Sequence, residues 1–263
     1  FYADPDGFYK GYERQLAIDA NHRRLGLWDS LYRWEASLLR QHLGPCYRIL
    51  DLGAGTGWFV EWWATGRGRG RVGKAVGVEP SLVARANSPV PGRLFPTISE
   101  ASRRFGIGQP VYLRARLVLE HLVDPVGFLR EAAGIPQQVL GIIVTVPNDS
   151  GNPLQDRIVK RAGIGHWFID KTHLNYFNKQ GLTYTLREAG FEPVWMGATH
   201  PIELWQLAGI RYIGNDKKGQ QVHLARLRFE KVMGSLAWKL YKILFDRLGW
   251  GREILCIASR KEN

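Results

Sequence analysis

Four side chains expected just past the ends of the fourth and fifth strands have the chemistry of a general base: His121, His166, Asp170 and His173. An imidazole titrates near neutral pH and can take a proton from a phenol or a sugar hydroxyl. Each also has a plainer use, since His121 can cap a following helix and His173 can tie a loop to the helix expected from Lys179. His173 and His121 rank above His166. Upstream, Arg48-Ile-Leu-Asp-Leu-Gly-Ala-Gly-Thr-Gly57 places Asp51 ahead of Gly53, Ala54, Gly55 and Gly57. Glycines there let the backbone turn sharply and approach a ligand closely, and a helix starting near Trp58 offers unsatisfied N–H groups to an anionic group. Ala75-Val-Gly-Val-Glu79-Pro80-Ser81 is an apolar strand ending in an acid. Glu79 follows the turn at a separation near the roughly 20 residues between glycine turn and ribose-binding acid in mononucleotide folds. A carboxylate there can accept both hydroxyls of a ribose, and its plainer use is a surface strand end. The turn is not GxGxxG, because the third spacing fails and an acid precedes the first glycine. No HxxxH or paired-acid spacing points to a metal, and none is expected.

The acid-led glycine turn resembles the first motif of class I S-adenosylmethionine-dependent methyltransferases, D/E-x-G-x-G-x-G. Further along, Leu117-Val-Leu-Glu-His-Leu-Val-Asp-Pro125 with Phe128-Leu-Arg-Glu131, Val144-Thr-Val-Pro-Asn148, His173-Leu-Asn-Tyr-Phe177 and Glu188-Ala-Gly-Phe191 follow in order. Over about residues 47–197 this set is similar to the subgroup of quinone-biosynthesis-type small-molecule O-methyltransferases. The stretch before the fourth strand departs from the subgroup, reading Gln109-Pro-Val-Tyr-Leu-Arg where an Asp-rich start is usual, and only Ile98, Ser99 or Glu100 stand where an adenine-side acid is found. The resemblance implies S-adenosylmethionine as methyl donor. It places Gly53, Ala54, Gly55 and Gly57 under the methionine portion, Asp51 at the turn or the ammonium, and Glu79 at the ribose beside Pro80 and Ser81. The base N-methyltransferase motif N/D-P-P-Y/F is replaced by Leu119-Glu-His-Leu.

These residues need a scaffold, and from Tyr47 onward strands and helices alternate, as in an α/β Rossmann-like fold with a seven-stranded, mostly parallel sheet and helices on both faces. Strands are expected at about 47–52, 74–79, 93–95, 111–119, 139–146, 191–196 and 253–259. Residues 1–44 read as a helical, aromatic N-terminal cap ended by Gly44-Pro45, and 45–263 as the cofactor-binding domain with a helical insertion at about 200–250. In that insertion Leu224, Phe229, Val232, Met233, Leu236, Leu240, Ile243 and Leu244 form one apolar face of a helix over 222–248, with Arg226, Arg228, Lys231, Lys239, Lys242 and Arg247 mainly elsewhere. Packing on the protein's own core or a second subunit is the plainer reading of that face. Peripheral contact with a membrane, or a homodimer, is the alternative.

The charge narrows the partners less than it first suggests. A net charge of +12 permits nucleic acid, an anionic membrane or an acidic substrate, but an Arg-rich solvated surface gives the same total. The Arg–Gly loop Gly66–Gly73 reads more simply as a connection than as an RNA contact, and nucleic acid is not expected. No apolar run reaches the roughly 20 residues that span a bilayer, and no secretory signal is visible at the start. Cys46 and Cys256, the only cysteines, build no disulfide framework, which fits a reducing cytoplasm. The expected activity is methyl transfer to a small molecule, most simply at a hydroxyl oxygen. N-methylation of an amino sugar or amine, and a non-catalytic module binding RNA or an anionic membrane, are the alternatives. The aromatics Tyr9, Tyr12, Trp167, Phe168, Tyr176 and Phe177 are candidates to line the acceptor pocket.

Overall fold

The computed structural model describes residues 13–67, 73–148, 157, 160, 172–210, 212 and 216–261. His166, Asp170, Trp167, Phe168, Tyr9, Tyr12 and most of the Arg–Gly loop lie outside the described residues. Helices α1 (Glu13–Arg24) and α2 (Asp29–Leu43) precede β1 (Arg48–Leu52), α3 (Trp58–Ala64), β2 (Lys74–Val78), α4 (Leu82–Ala86), β3 (Leu94–Phe95) and α5 (Ile98–Ser102). Then come β4 (Pro110–Arg116), α6 (Pro125–Ala133), β5 (Gln138–Pro147), α7 (Lys179–Glu188), β6 (Phe191–Ala198), α8 (Ile202–Leu207), α9 (Asp216–Met233), α10 (Ser235–Leu248) and β7 (Glu253–Arg260). The seven strands form one sheet in the order β3-β2-β1-β4-β5-β7-β6. Only β7 runs against its neighbours, so its first residue, Glu253, lies at the same edge of the sheet as the carboxyl ends of the others.

Each strand carries apolar residues on both faces, because helices cover both sides. On one face Leu50, Leu52, Leu113, Ala115, Val144 and Cys256 pack with Ile98, Phe128, Leu129, Leu182 and Leu186 from α5, α6 and α7. On the other Ile49, Tyr112, Ile143, Leu255 and Ile257 pack with Tyr32, Ala36 and Leu39 of α2 and Phe59, Trp62 and Trp63 of α3. The caps follow from sequence: Asp124, Asn178, Ser81 and Thr97 each accept an N–H of the first turn of α6, α7, α4 and α5, the usual way a helix start is satisfied.

The expected helix over 222–248 is two helices, α9 and α10, broken at Gly234 with φ 52° and ψ −125°, a conformation open to glycine. The face they bury also differs from the expected one. Leu227, Ala237, Trp238, Tyr241 and Phe245 are buried, whereas Phe229, Val232, Met233, Leu236, Leu240 and Ile243 are exposed. Trp238 wins the interior because Trp34 of α2 stacks on it at 4.5 Å, and its indole N–H donates to Ser30. Such a pair adds about 0.5–1.5 kcal/mol to its area burial. Among the described residues no helix is long and apolar enough to cross a membrane.

Candidate active site

The carboxyl ends of β1, β2 and β4 bring the glycine turn, Glu79 and the His121 segment together. Gly53, Gly55 and Gly57 have φ of 67°, 56° and 80°, left-handed values that side chains with a Cβ seldom adopt. Ala54 N–H donates to Val78 at 2.9 Å, and Gly57 N–H to Ala54 at 2.9 Å. The turn lies so close to β2 that a Cβ on Gly77 would stand 2.5 Å from that of Ala54. Gly77 is therefore part of the turn's seat. The Glu79 carboxylate spans the cleft, accepting from Gly55 N–H at 2.8 Å and Ser81 N–H at 2.9 Å. Pro80 gives its carbonyl to Arg85 at 2.7 Å, and Ser81 Oγ caps α4 at 3.1 Å.

Asp51 is buried beneath this turn. Its Oδ1 accepts from Arg114 at 2.8 Å, while its Oδ2 is buried with no hydrogen-bond partner among the described residues. Burial pushes the Asp51 carboxyl up, and Arg114 opposes that shift. Arg114 also donates to Glu35 of α2 at 2.9 Å and lies 3.9 Å over the Phe59 ring. Burial works against the guanidinium's charge, but Asp51 and then Glu35 more than offset it, and Arg114 stays cationic. Glu35 reaches Arg116 at 3.5 Å, which pairs with Glu253 at 2.7 Å. The polar chain Asp51–Arg114–Glu35–Arg116–Glu253 thus joins the glycine turn to the N-terminal helices and the start of β7.

His121 and His173, 52 positions apart in sequence, face each other with ring centroids 4.9 Å apart. His121 Nδ1 lies 3.0 Å from the Thr172 carbonyl. A carbonyl only accepts, so Nδ1 carries a proton, and Nε2 lies 3.9 Å from the Glu120 carboxylate. The two segments are stitched by Leu174 and Asn175 N–H donating to Glu120 O at 2.7 and 3.0 Å, and by the Asn175 amide donating to Leu119 and Leu122. Leu117, which leads out of β4 into the His121 turn, holds φ 53°, an uncommon conformation for leucine. Glu120, His121 and His173 offer ligand atoms that all lie within 4.8 Å of one another, and they could hold a divalent cation; no spacing in the sequence suggests this set.

Not every sequence candidate joins the site. Phe177 is core, packed with the α6–α7 face, while Tyr176 is exposed with its ring 6.3 Å from His173. Glu100 pairs with Thr97 in the cap of α5, and Ile98 is core. Glu35, Gly77 and Arg114 are the residues sequence reasoning missed. Their signals are an acid among the apolar positions of α2, a glycine inside β2 and an arginine inside a buried strand.

Residues 12–195 match the methyltransferase domain family. The fold is also shared by solved structures at low identity. A SAM-dependent methyltransferase from Archaeoglobus fulgidus is 15% identical, covers 88% of this chain and 94% of its own, and superposes with TM-score 0.52. One from Thermotoga maritima is 15% identical over 96% of this chain and all of its own, with TM-score 0.51. A plantazolicin methyltransferase, solved with S-adenosylhomocysteine, is 12% identical over 97% and 92%, with TM-score 0.53. No curated protein matches the sequence. With the family match spanning most of its length, and the sheet order, the acid-led glycine turn and the strand-end Glu79 in place, this chain belongs to the methyltransferase domain family, with S-adenosylmethionine as its cofactor.

Proposed function

We propose that the protein transfers the methyl group of S-adenosylmethionine to a hydroxyl oxygen of a small molecule. The observation that carries this reading is the His121–His173 pair beside the carboxyl end of β4, with His121 Nδ1 held 3.0 Å from the Thr172 carbonyl and Nε2 3.9 Å from Glu120. An oxygen acceptor must lose a proton as it attacks, and an imidazole base suits that task. The sulfonium, when bound, supplies an activated methyl and its own leaving group. The chain's part is to bind, orient and deprotonate. Gly53, Ala54, Gly55 and Gly57 form the floor, and the buried Oδ2 of Asp51 can accept from an ammonium. The Glu79 carboxylate, poised between Gly55 and Ser81, can accept from ribose hydroxyls, with Pro80 and Ser81 beside it. We assign His121 as base and His173 as the group that positions it.

The test is methyl transfer from labelled cofactor to a panel of phenols, sugars and amines, with His121→Asn and His173→Asn. Loss of about 10²–10⁴-fold in kcat for His121→Asn, with S-adenosylhomocysteine affinity kept, is the expected result. Undiminished turnover would remove His121 as base, and turnover with amines alone would favour the N-methyltransferase alternative. The two cysteines are buried and unbridged, which supports a reducing, cytoplasmic compartment. The exposed apolar stripe of α9 and α10 lies among Arg228, Lys231, Lys239, Lys242 and Arg247. That charge favours an anionic membrane surface as its contact over a second copy of the chain, which would bring like charges together.

A further inference from the structure

A second polar niche, three ion pairs away from Asp51 under the glycine turn, lies around the ring of Trp28. The guanidinium carbons of Arg23, Arg116 and Arg226 stand 4.9, 5.8 and 5.9 Å from the centroid of that ring. The His223 ring lies 6.0 Å from it, and His22 lies 5.9 Å from His223. Arg226 donates to Nδ1 of His200 at 2.5 Å and of His223 at 3.1 Å. Both imidazoles therefore act as acceptors and are neutral.

Four buried nitrogens here have no hydrogen-bond partner among the described residues: Arg23 Nε, Trp28 Nε1, Arg226 Nε and His22 Nδ1. The first three can only donate. Arg226 and His22 are 5% and 9% exposed, so bulk water does not serve them. Leaving one such donor unmet is costly, and several unmet donors at one place call for a missing acceptor. Three nearby carboxylates already have partners. Glu35 binds Arg114 and Arg116, Glu253 binds Arg116 and Thr199, and Glu230 lies 3.7 Å from Arg226 Nη1 and 3.4 Å from the Tyr241 hydroxyl.

We propose that this niche binds an oxyanion, a carboxylate or phosphate carried by the methyl acceptor. It lies where the α1–α2 turn meets α9, joined to Asp51 through Arg116, Glu35 and Arg114. An acceptor anchored there by its anionic group would present its reacting end toward the carboxyl ends of the strands, where open α/β sheets bind ligands. The proposal rests on the methyltransferase reading, because it takes the anion to belong to the acceptor. The same chemistry could instead be met by the cofactor's own carboxylate.

Thermal shift of the whole protein, titrated with inorganic phosphate or acetate against chloride at matched ionic strength, tests this. The probes are run alone, with saturating S-adenosylhomocysteine, and with saturating methylthioadenosine, which has no carboxylate. Saturable stabilisation by one of the two anions is expected in all three, weakened about tenfold or more in Arg226→Gln and Arg23→Gln. Arg23 is only partly buried, so its variant carries the test if Arg226→Gln does not fold. Binding lost with S-adenosylhomocysteine but kept with methylthioadenosine would give the niche to the cofactor's carboxylate and overturn the proposal. Absence of saturable stabilisation, or stabilisation untouched by both substitutions, would overturn it as well. Failure of S-adenosylhomocysteine itself to bind would instead strike the methyltransferase reading, since anion binding is read separately.

Discussion

At the scale of residues, Glu79 joins the glycine turn to the start of α4, because one carboxylate accepts from both Gly55 and Ser81. On the proposed assignment Glu79→Ala removes a charge-assisted contact to the ribose and loosens the turn as well. S-adenosylhomocysteine should bind about 1.5–3 kcal/mol more weakly, and calorimetry showing unchanged affinity would reject the ribose role. Gly77→Ala should weaken the same affinity without touching the ligand, since its methyl would stand 2.5 Å from that of Ala54 and push the turn. Arg114 acts on stability. Both of its partners are buried carboxylates, and Arg114→Met would strand them, at a cost of about 3–5 kcal/mol for breaking a buried ion pair. A urea midpoint that moves by much less would reject that role. Adding Glu35→Gln to Arg114→Met should recover part of the loss.

At the scale of elements, the α9–α10 hairpin shows a surface no core packing explains. Leu240 and Ile243 are exposed on α10, so Leu240→Asp and Ile243→Asp should change stability by no more than about 0.5 kcal/mol each. Sedimentation with vesicles of anionic lipid should fall sharply in the double variant, with neutral vesicles bound poorly by both proteins. A concentration-dependent dimer abolished by the same changes, with no vesicle binding, would give the stripe to a second copy. These helices also mark where the sequence stops being legible. The strands and the glycine turn are local patterns, each decided by neighbours within a few positions, and they stand close to where sequence places them. Periodicity reports that a helix face is apolar but not what covers it, so the face of Leu236, Leu240 and Ile243 reads as core while Trp34 draws Trp238 inward instead. The Glu35–Arg114 pair is illegible for a related reason. Its partners are 79 positions apart, and only the folded sheet decides which buried acid an arginine meets. The His121–His173 approach is of the same kind, with both residues visible as candidates and their contact visible only in the fold.

At the scale of the whole molecule, the polar layer between the sheet, the N-terminal helices and α9 makes stability depend on pH. His223 is pushed down to about 3 by burial, with Arg226 adding to it, and His200 is pushed well below its ordinary value by burial and then by Arg226. In the unfolded chain both titrate near pH ~6.5. A pKa lowered by folding confers stability that is complete above the unfolded value and is lost as pH falls toward the folded one. Unfolding therefore takes up protons at both imidazoles below about pH 6.5, and stability drops by up to about 1.4 kcal/mol per pH unit for each. Burial raises the Asp51 and Glu230 carboxyls, with Arg114 and Arg226 opposing. The stability tied to those two is present at low pH and lost as pH rises, so they blunt the acid loss. For Glu253 burial works upward, yet Arg116, Arg226 and Arg252 together hold its carboxyl below the ordinary value, and it steepens the loss again in the carboxylate range. Urea midpoints should decline from about pH 7 to about pH 5. Net positive charge also disfavours the compact state in acid through self-repulsion, but that effect is spread over the surface. The His200→Gln, His223→Gln double variant separates the two causes. It should flatten the decline between about pH 6.5 and 5 while leaving the carboxylate limb in place, and an unaltered slope would assign the acid lability to surface charge.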